Sequence, residues 1–333
     1  MAKSDLPILI AGGGIGGFAA ALAHLWQHTR FRGPMRQADQ TMETVQMRYE
    51  APQTLEQAIT LLAGANGRAR VLAGGTDLVI QMRSGRAEPE LLVDIKGIPE
   101  LRSLAAEAGG YRVGAAVTCM ELIEHAAFAK AWPGIIDGVK YIGSIQVKGR
   151  ATMGGNLCNA SPAADSVPAL IAAGAIACIA GPKGRRETPV EEVVAGPGKT
   201  TLAGGELVVS FLLPQRQAHS GDAYLRFTPR SEMDIAVVGA GVNLTLDAKG
   251  VCSAARVSLG AVAARALFVP EAAAALVGSK VDAAALERLA AAASAACRPI
   301  DDKRGTKEFR IKVAGVMARR AAAIALERAR GQN

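Results

Sequence analysis

Aromatic residues make up only 4% of this 333-residue sequence, which removes the stacking platforms on which single-stranded nucleic acid is usually held. The net charge of +8 does not restore that reading. The basic residues fall in short pairs, Arg185-Arg186, Lys303-Arg304 and Arg319-Arg320, and form no dense patch. Nucleic acid is therefore not an expected partner. Cysteine is sparse as well. Cys119, Cys158, Cys178, Cys252 and Cys297 include no CxxC pair and have no neighbouring histidines to complete a tetrahedral site, so no metal is expected in this chain. The same odd, scattered set argues against a disulfide-stapled secreted fold, and the expected compartment is the cytoplasm. An uncharged stretch over residues 6–29 resembles a leader, but Gly12, Gly13, Gly14, Gly16 and Gly17 interrupt it. It would make a poor signal or spanning helix, so no membrane insertion is expected. No nucleophile–base pair and no paired carboxylates stand out, so no catalytic residue is assigned.

What the sequence has is apolar residues, 50% of the chain, enough for two or three ordinary cores. From Met47 short strands and helices alternate. Met47 to Tyr49 starts a strand, Thr54-x-x-Gln57 caps a helix through Leu62, and strands are expected at Arg70 to Ala73, Leu91 to Ile95 and Tyr111 to Val117. Thr118-x-x-Glu121 opens a helix to about Ala129, and an amphipathic stretch covers Trp132 to Tyr141. Residues 142–168, dominated by Gly, Ser, Thr, Asn and Ala, read as an ordered functional loop. Strands follow at Ala175 to Ile179, Glu206 to Leu213 and Asp222 to Phe227, and Ile235 to Leu246 pairs with Val251 to Leu259 across the Asp247-Ala248-Lys249-Gly250 turn. Alanine-rich helices close the chain. The expected class is α+β, with a boundary near residues 215–220 separating a C-terminal domain, residues 220–330, built from a three-stranded sheet and helices.

Gly12-x-Gly14-x-x-Gly17 matches the dinucleotide fingerprint, but the acidic residue expected about 20 residues on is missing from a basic stretch broken by Gly33 and Pro34. Residues 1–41 are therefore read as an appendage, not a working nucleotide site. His24 and His28 have helical i, i+4 spacing but no third ligand, and read as surface residues. The stronger signal is a pair of loops, Ala73-Gly74-Gly75-Thr76-Asp77 and Thr152-Met153-Gly154-Gly155-Asn156. Glycines allow positive backbone angles and close approach, so successive N–H groups can face one anion while threonine hydroxyls add donors. One such loop alone reads as a tight turn. Two of them can clasp a pyrophosphate, and Asn159, Ser161 and Asp165 add polar groups to an otherwise apolar stretch.

AGGTDL at Ala73 to Leu78 and IGSIQVKGRATMGGNLCNASPAADSVPAL at Ile142 to Leu170 resemble the FAD-binding subunit of the molybdenum hydroxylases, the family of aerobic carbon monoxide and xanthine dehydrogenases. The resemblance runs from about Met47 to Arg330 and includes Arg230 to Ala236 and Asp302 to Gly305. It implies a vanillyl-alcohol oxidase-type (PCMH-type) fold, with FAD held by two α/β subdomains over residues 42–215 and a C-terminal flavoprotein domain. By motif, Ala73, Gly74, Gly75, Thr76, Asp77, Thr152, Gly154, Gly155 and Asn156 would line the pyrophosphate and ribityl chain. Asp165 would bind another polar part of FAD, and Val208 and Arg226 fall at family positions near the flavin. Some relatives have Lys where Arg226 stands. The resemblance also implies partners: a small subunit with [2Fe-2S] clusters and a large molybdopterin subunit, assembled as a dimer of heterotrimers. Two rival readings are a self-sufficient flavin hydroxylase built on the N-terminal fingerprint and a non-redox FAD-binding scaffold.

Overall fold

Parallel pairing opens the described residues. In the computed structural model, which describes residues 47–231 and 233–331, β1 (Arg48–Glu50) is followed by α1 (Leu55–Gly64), β2 (Ala69–Leu72), α2 (Leu78–Arg83) and β3 (Leu91–Asp94). The strands form a parallel sheet of order β1-β3-β2, so helices make the crossovers that parallel strands require. Thr54 caps α1 by accepting from the Gln57 N–H, and Leu55, Ala58 and Leu62, at helical spacing, bury one face. The N-terminal fingerprint and the His24/His28 pair lie outside the described residues.

A second sheet, antiparallel, has order β4-β5-β10-β6-β7. Its first two strands, β4 (Leu104–Glu107) and β5 (Gly110–Gly114), form a hairpin across Ala108-Gly109. The chain then makes α3 (Cys119–Glu124), α4 (Ala126–Ala131), α5 (Pro133–Lys140), α6 (Ile145–Lys148), α7 (Met153–Cys158) and α8 (Ser166–Ala173). It re-enters the sheet as β6 (Ile176–Gly181) and β7 (Gly184–Pro189), adds a small hairpin of β8 (Val194–Gly196) and β9 (Lys199–Thr200), and finishes in the central strand β10 (Leu207–Leu213). Two expectations change here. The helix expected from Thr118 to Ala129 breaks at His125, whose Nδ1 accepts from the Phe128 N–H at 3.1 Å and caps α4. The stretch 142–168 is no plain loop: it holds α6 and α7 and opens α8, with Ser144 and Thr152 as N-caps.

The remainder is a meander, β11 (Ser220–Phe227), β12 (Val238–Leu246), β13 (Cys252–Gly260) and β14 (Leu267–Phe268), followed by α9 (Pro270–Ala274), α10 (Ala283–Ala296) and α11 (Lys307–Arg330). The sheet is four-stranded, where three strands were expected; β14 is only two residues long and leaves no periodic trace. Asp247 fixes the expected turn by accepting from the Lys249 and Val251 N–H groups, both at 2.8 Å. Ala314, Ala318, Ala321, Ala325 and Ala329 form a fully buried stripe on α11, and their small side chains let the helix lie close across β11 and β12. Among the described residues no helix is long and apolar enough to cross a membrane.

Candidate functional site

The first glycine loop leaves β2 at Leu72 and enters α2 at Leu78. Gly75 has φ of 76°, a backbone conformation that disfavours any side chain. Through the turn the backbone N–H groups of Gly74, Gly75, Thr76 and Asp77 have no acceptor among the described residues. A run of successive unpaired N–H donors is the backbone pattern of an anion cradle.

The second loop meets it directly. A side chain on Gly74 would overlap the carbonyl of Arg150, so the two segments pack backbone to backbone. Thr152, buried, accepts from the Gly155 N–H at 2.9 Å and starts α7. The Met153 and Gly154 N–H groups, in the first helical turn, have no acceptor among the described residues. A Cβ on Gly154 would stand 2.5 Å from the Ala115 carbonyl oxygen, where the chain leaves β5. Gly155 differs from what the sequence implied. It is helical, not left-handed, and a Cβ there would meet only the Thr152 hydroxyl at 3.2 Å and Ala73 at 3.8 Å.

The polar side chains of the second loop largely brace it. Asn156 Oδ1 accepts from the Ser166 hydroxyl at 2.7 Å, and Asn159 Oδ1 accepts from Gln81 Nε2 at 2.8 Å, tying α2 to the loop. Ser161 Oγ accepts from the Ala163 N–H at 3.3 Å. The donors left for a ligand are thus mainly backbone N–H groups, together with the Thr76 hydroxyl, for which the structure gives no partner among the described residues.

Lys96, which the sequence did not single out, supports the first loop from behind. Its Nζ donates to the Ala73 carbonyl at 3.2 Å and to Asp94 Oδ1 at 2.7 Å, and the Tyr49 hydroxyl donates to Asp94 Oδ2 at 2.6 Å. Burial pushes Asp94 up, but the hydrogen bonds from Lys96 and Tyr49 outweigh it and hold the carboxyl below the usual range. For Lys96 burial prevails: it holds the ammonium below the usual lysine range, Asp94 opposes, and Arg150 and Arg102 lower it further. The only local hint was a lysine placed two residues after the acidic end of β3.

Asp165 and Arg226 are brought together, away from solvent. Arg226 Nη1 donates to Asp165 Oδ2 at 2.8 Å and the Tyr224 hydroxyl donates to Oδ1 at 2.8 Å. The side chains are only 2% and 8% exposed, for Arg226 and Asp165. Burial raises Asp165, opposed by Arg226 and Tyr224. Both carboxylate oxygens are therefore engaged by β11, and the pair joins α8 to the meander. Val208 lies in β10 beside a bulge and packs into the core that holds Met153 and Leu157, a buried wall behind the second loop. Cys158 is half-buried beside the loop and Cys119 is buried; burial pushes both thiols up to about 12. Neither is a reactive thiolate at neutral pH.

Comparison with known proteins agrees over residues 44–325. Residues 44–216 match the family model described as the FAD binding domain in molybdopterin dehydrogenase, and residues 223–325 match the CO dehydrogenase flavoprotein C-terminal domain. The chain is 34% identical to the carbon monoxide dehydrogenase medium chain of Afipia carboxidovorans, covering 85% of this chain and 97% of that protein. It is 32% identical to the xanthine dehydrogenase FAD-binding subunit of Escherichia coli O157:H7, with the same coverage of each. In structure it is similar to reconstituted CO dehydrogenase from Oligotropha carboxidovorans, with a TM-score of 0.82 and 34% identity over 85% of this chain and 98% of that one. Quinoline 2-oxidoreductase from Pseudomonas putida 86 gives a TM-score of 0.78 at 29% identity, with the same coverage.

Proposed function

The chain belongs to the FAD-binding subunits of the molybdopterin dehydrogenases, oxidoreductases of the carbon monoxide and xanthine dehydrogenase type, and from that membership we propose that it is an electron relay. In this reading it receives electrons from the [2Fe-2S] clusters of a small partner subunit, which draw them from a large molybdopterin subunit, and passes them to an external acceptor. When bound, FAD supplies that chemistry, taking electrons singly and giving them up in pairs. The chain's own residues bind and orient it. We assign the N–H groups of Gly74, Gly75, Thr76, Asp77 and Gly154, with the Thr76 hydroxyl, to the pyrophosphate and ribityl chain, and Thr152 to capping the helix that presents Gly154. Asn156 and Gly155 complete the second loop, Ala73 is held by Lys96, and Val208 backs the site. Arg226, with Asp165 fixing its guanidinium, stands toward the flavin.

The observation that carries this reading is the meeting of two glycine loops whose successive backbone N–H groups have no protein acceptor among the described residues. That donor set fits two linked phosphates better than a single terminal one. We place the FAD-binding domain at residues 42–215 and the C-terminal flavoprotein domain at 220–330, in a cytoplasmic dimer of heterotrimers. Co-expression of this chain with candidate small [2Fe-2S] and large molybdopterin subunits tests the assembly. A complex containing all three chains, one FAD per copy of this chain and iron–sulfur absorption is expected; a chain that purifies alone from such cells would contradict it.

A further inference from the structure

A cavity of about 320 Å³ lies between the C-terminal end of α5, β11 and α11, and none of its lining residues belongs to the glycine loops. Lys140, Lys148, Arg226 and Arg328 line it, with Asp137 the single carboxylate among its lining residues. Arg328 is paired with Asp137 at 2.6 Å and Arg226 with Asp165 at 2.8 Å. Lys140 and Lys148 have no carboxylate within ion-pair distance among the described residues. Lys140 is exposed, but Lys148 is only 9% exposed, and its Nζ donates to one acceptor, the Lys140 carbonyl, at 3.0 Å. Arg226 Nε, also buried, has no partner.

A plainer role exists for two of these groups. Lys148 and Arg226 donate to the carbonyls of Lys140 and Tyr141, and so cap the C-terminus of α5, where cations are favoured. Capping satisfies one donor on each. It leaves the nine-tenths-buried ammonium of Lys148 without a counter-charge, and it does not involve the Lys140 ammonium at all. Buried charges are ordinarily paired, because taking an isolated ion out of water is costly.

We propose that the Lys140 and Lys148 end of this cavity binds a small phosphate-bearing anion, away from the glycine loops, although the cavity shares Arg226 with the flavin side of the proposed FAD site. Lys140 and Lys148 leave two positive charges uncompensated, which matches a phosphate group carrying nearly two negative charges at neutral pH better than a carboxylate carrying one. The volume lies at the lower end for ligand pockets, suited to one phosphate with a small organic part.

Titration calorimetry on the FAD-loaded chain tests this, with inorganic phosphate as the probe and acetate as the monoanionic control. One saturable phosphate site per chain is expected, weakening as ionic strength rises, with acetate binding at least roughly tenfold more weakly. Lys140→Glu and Lys148→Gln should each reduce phosphate affinity by roughly tenfold or more while FAD content stays the same. If Lys148→Gln does not fold, Lys140→Glu decides alone, since that exposed side chain has no charged partner among the described residues. No saturable binding at millimolar phosphate, or equal affinity in wild type and Lys140→Glu, overturns the proposal. A chain that lacks FAD yet binds phosphate in a Lys140-dependent way would sustain the proposal and count against the relay reading instead.

Discussion

The carbonyl of Arg150 occupies the space that a Cβ on Gly74 would need, so the two glycine loops touch through bare backbone at one point. Gly74→Ala must push the loops apart or distort one of them. Overpacking of this kind costs about 1–3 kcal/mol, and here it also spreads the anion donors. Gly74→Ala should weaken FAD retention at least tenfold, whereas Gly155→Ala, with room beside Ala73, should weaken it much less. Flavin content after gel filtration, measured by absorbance, checks both. Equal loss in the two variants would mean that loop contact does not set affinity.

Breaking the Asp165–Arg226 pair should cost more than its exposure to cofactor suggests. Arg226→Met leaves a buried carboxylate with only the Tyr224 hydroxyl, and stranding a buried ion costs about 3–5 kcal/mol. Urea denaturation should show that loss, with Arg226→Lys intermediate. If Arg226→Met is as stable as wild type, the pair is not the strut between α8 and β11 described above.

Acid should loosen the support of the first loop. Asp94 is held below the usual carboxylate range, so its contribution is present above the unfolded-state value and is lost as pH falls through the folded one. Asp94→Asn should cost about 1.5–3 kcal/mol at pH 7, and the gap from wild type should close below about pH 4. A gap that persists unchanged to pH 3 would show that the native structure does not hold Asp94 below its unfolded-state value.

Removing residues 1–41 should leave FAD content and thermal stability nearly unchanged, since the family match begins at residue 44 and no acidic ribose ligand follows the fingerprint. Loss of flavin on truncation would give that segment a binding role.

Local chemistry was legible in the sequence and long-range chemistry was not. The Thr118–Glu121 capping box forms with both arms, the N–H of Thr118 donating to Glu121 at 2.7 Å and that of Glu121 to the Thr118 hydroxyl at 3.3 Å. The Asp247 turn and the glycine loops were readable for the same reason, since their signals lie within a few residues. Which glycine is indispensable was not readable: Gly74 and Gly154 are constrained by Arg150 and Ala115, far away in the chain. Asp165 was read as a FAD ligand from the family motif, but its partners Tyr224 and Arg226 come from a strand that only the fold brings near. Lys96 left almost no signal, because its importance lies in reaching the Ala73 carbonyl across the sheet.

Anaerobic mixing of the isolated, FAD-loaded chain with aldehydes, purines and N-heterocycles, followed at the flavin absorption band, tests the relay reading most directly. A [2Fe-2S] cluster needs four placed ligands, usually thiolates, and the five dispersed cysteines of this chain do not supply them. Dithionite should therefore bleach the flavin while every substrate fails, and substrate-dependent bleaching should appear only after the iron–sulfur and molybdenum subunits are added. Rapid bleaching of the isolated chain by any one of those substrates would make it a self-sufficient oxidoreductase and contradict the relay.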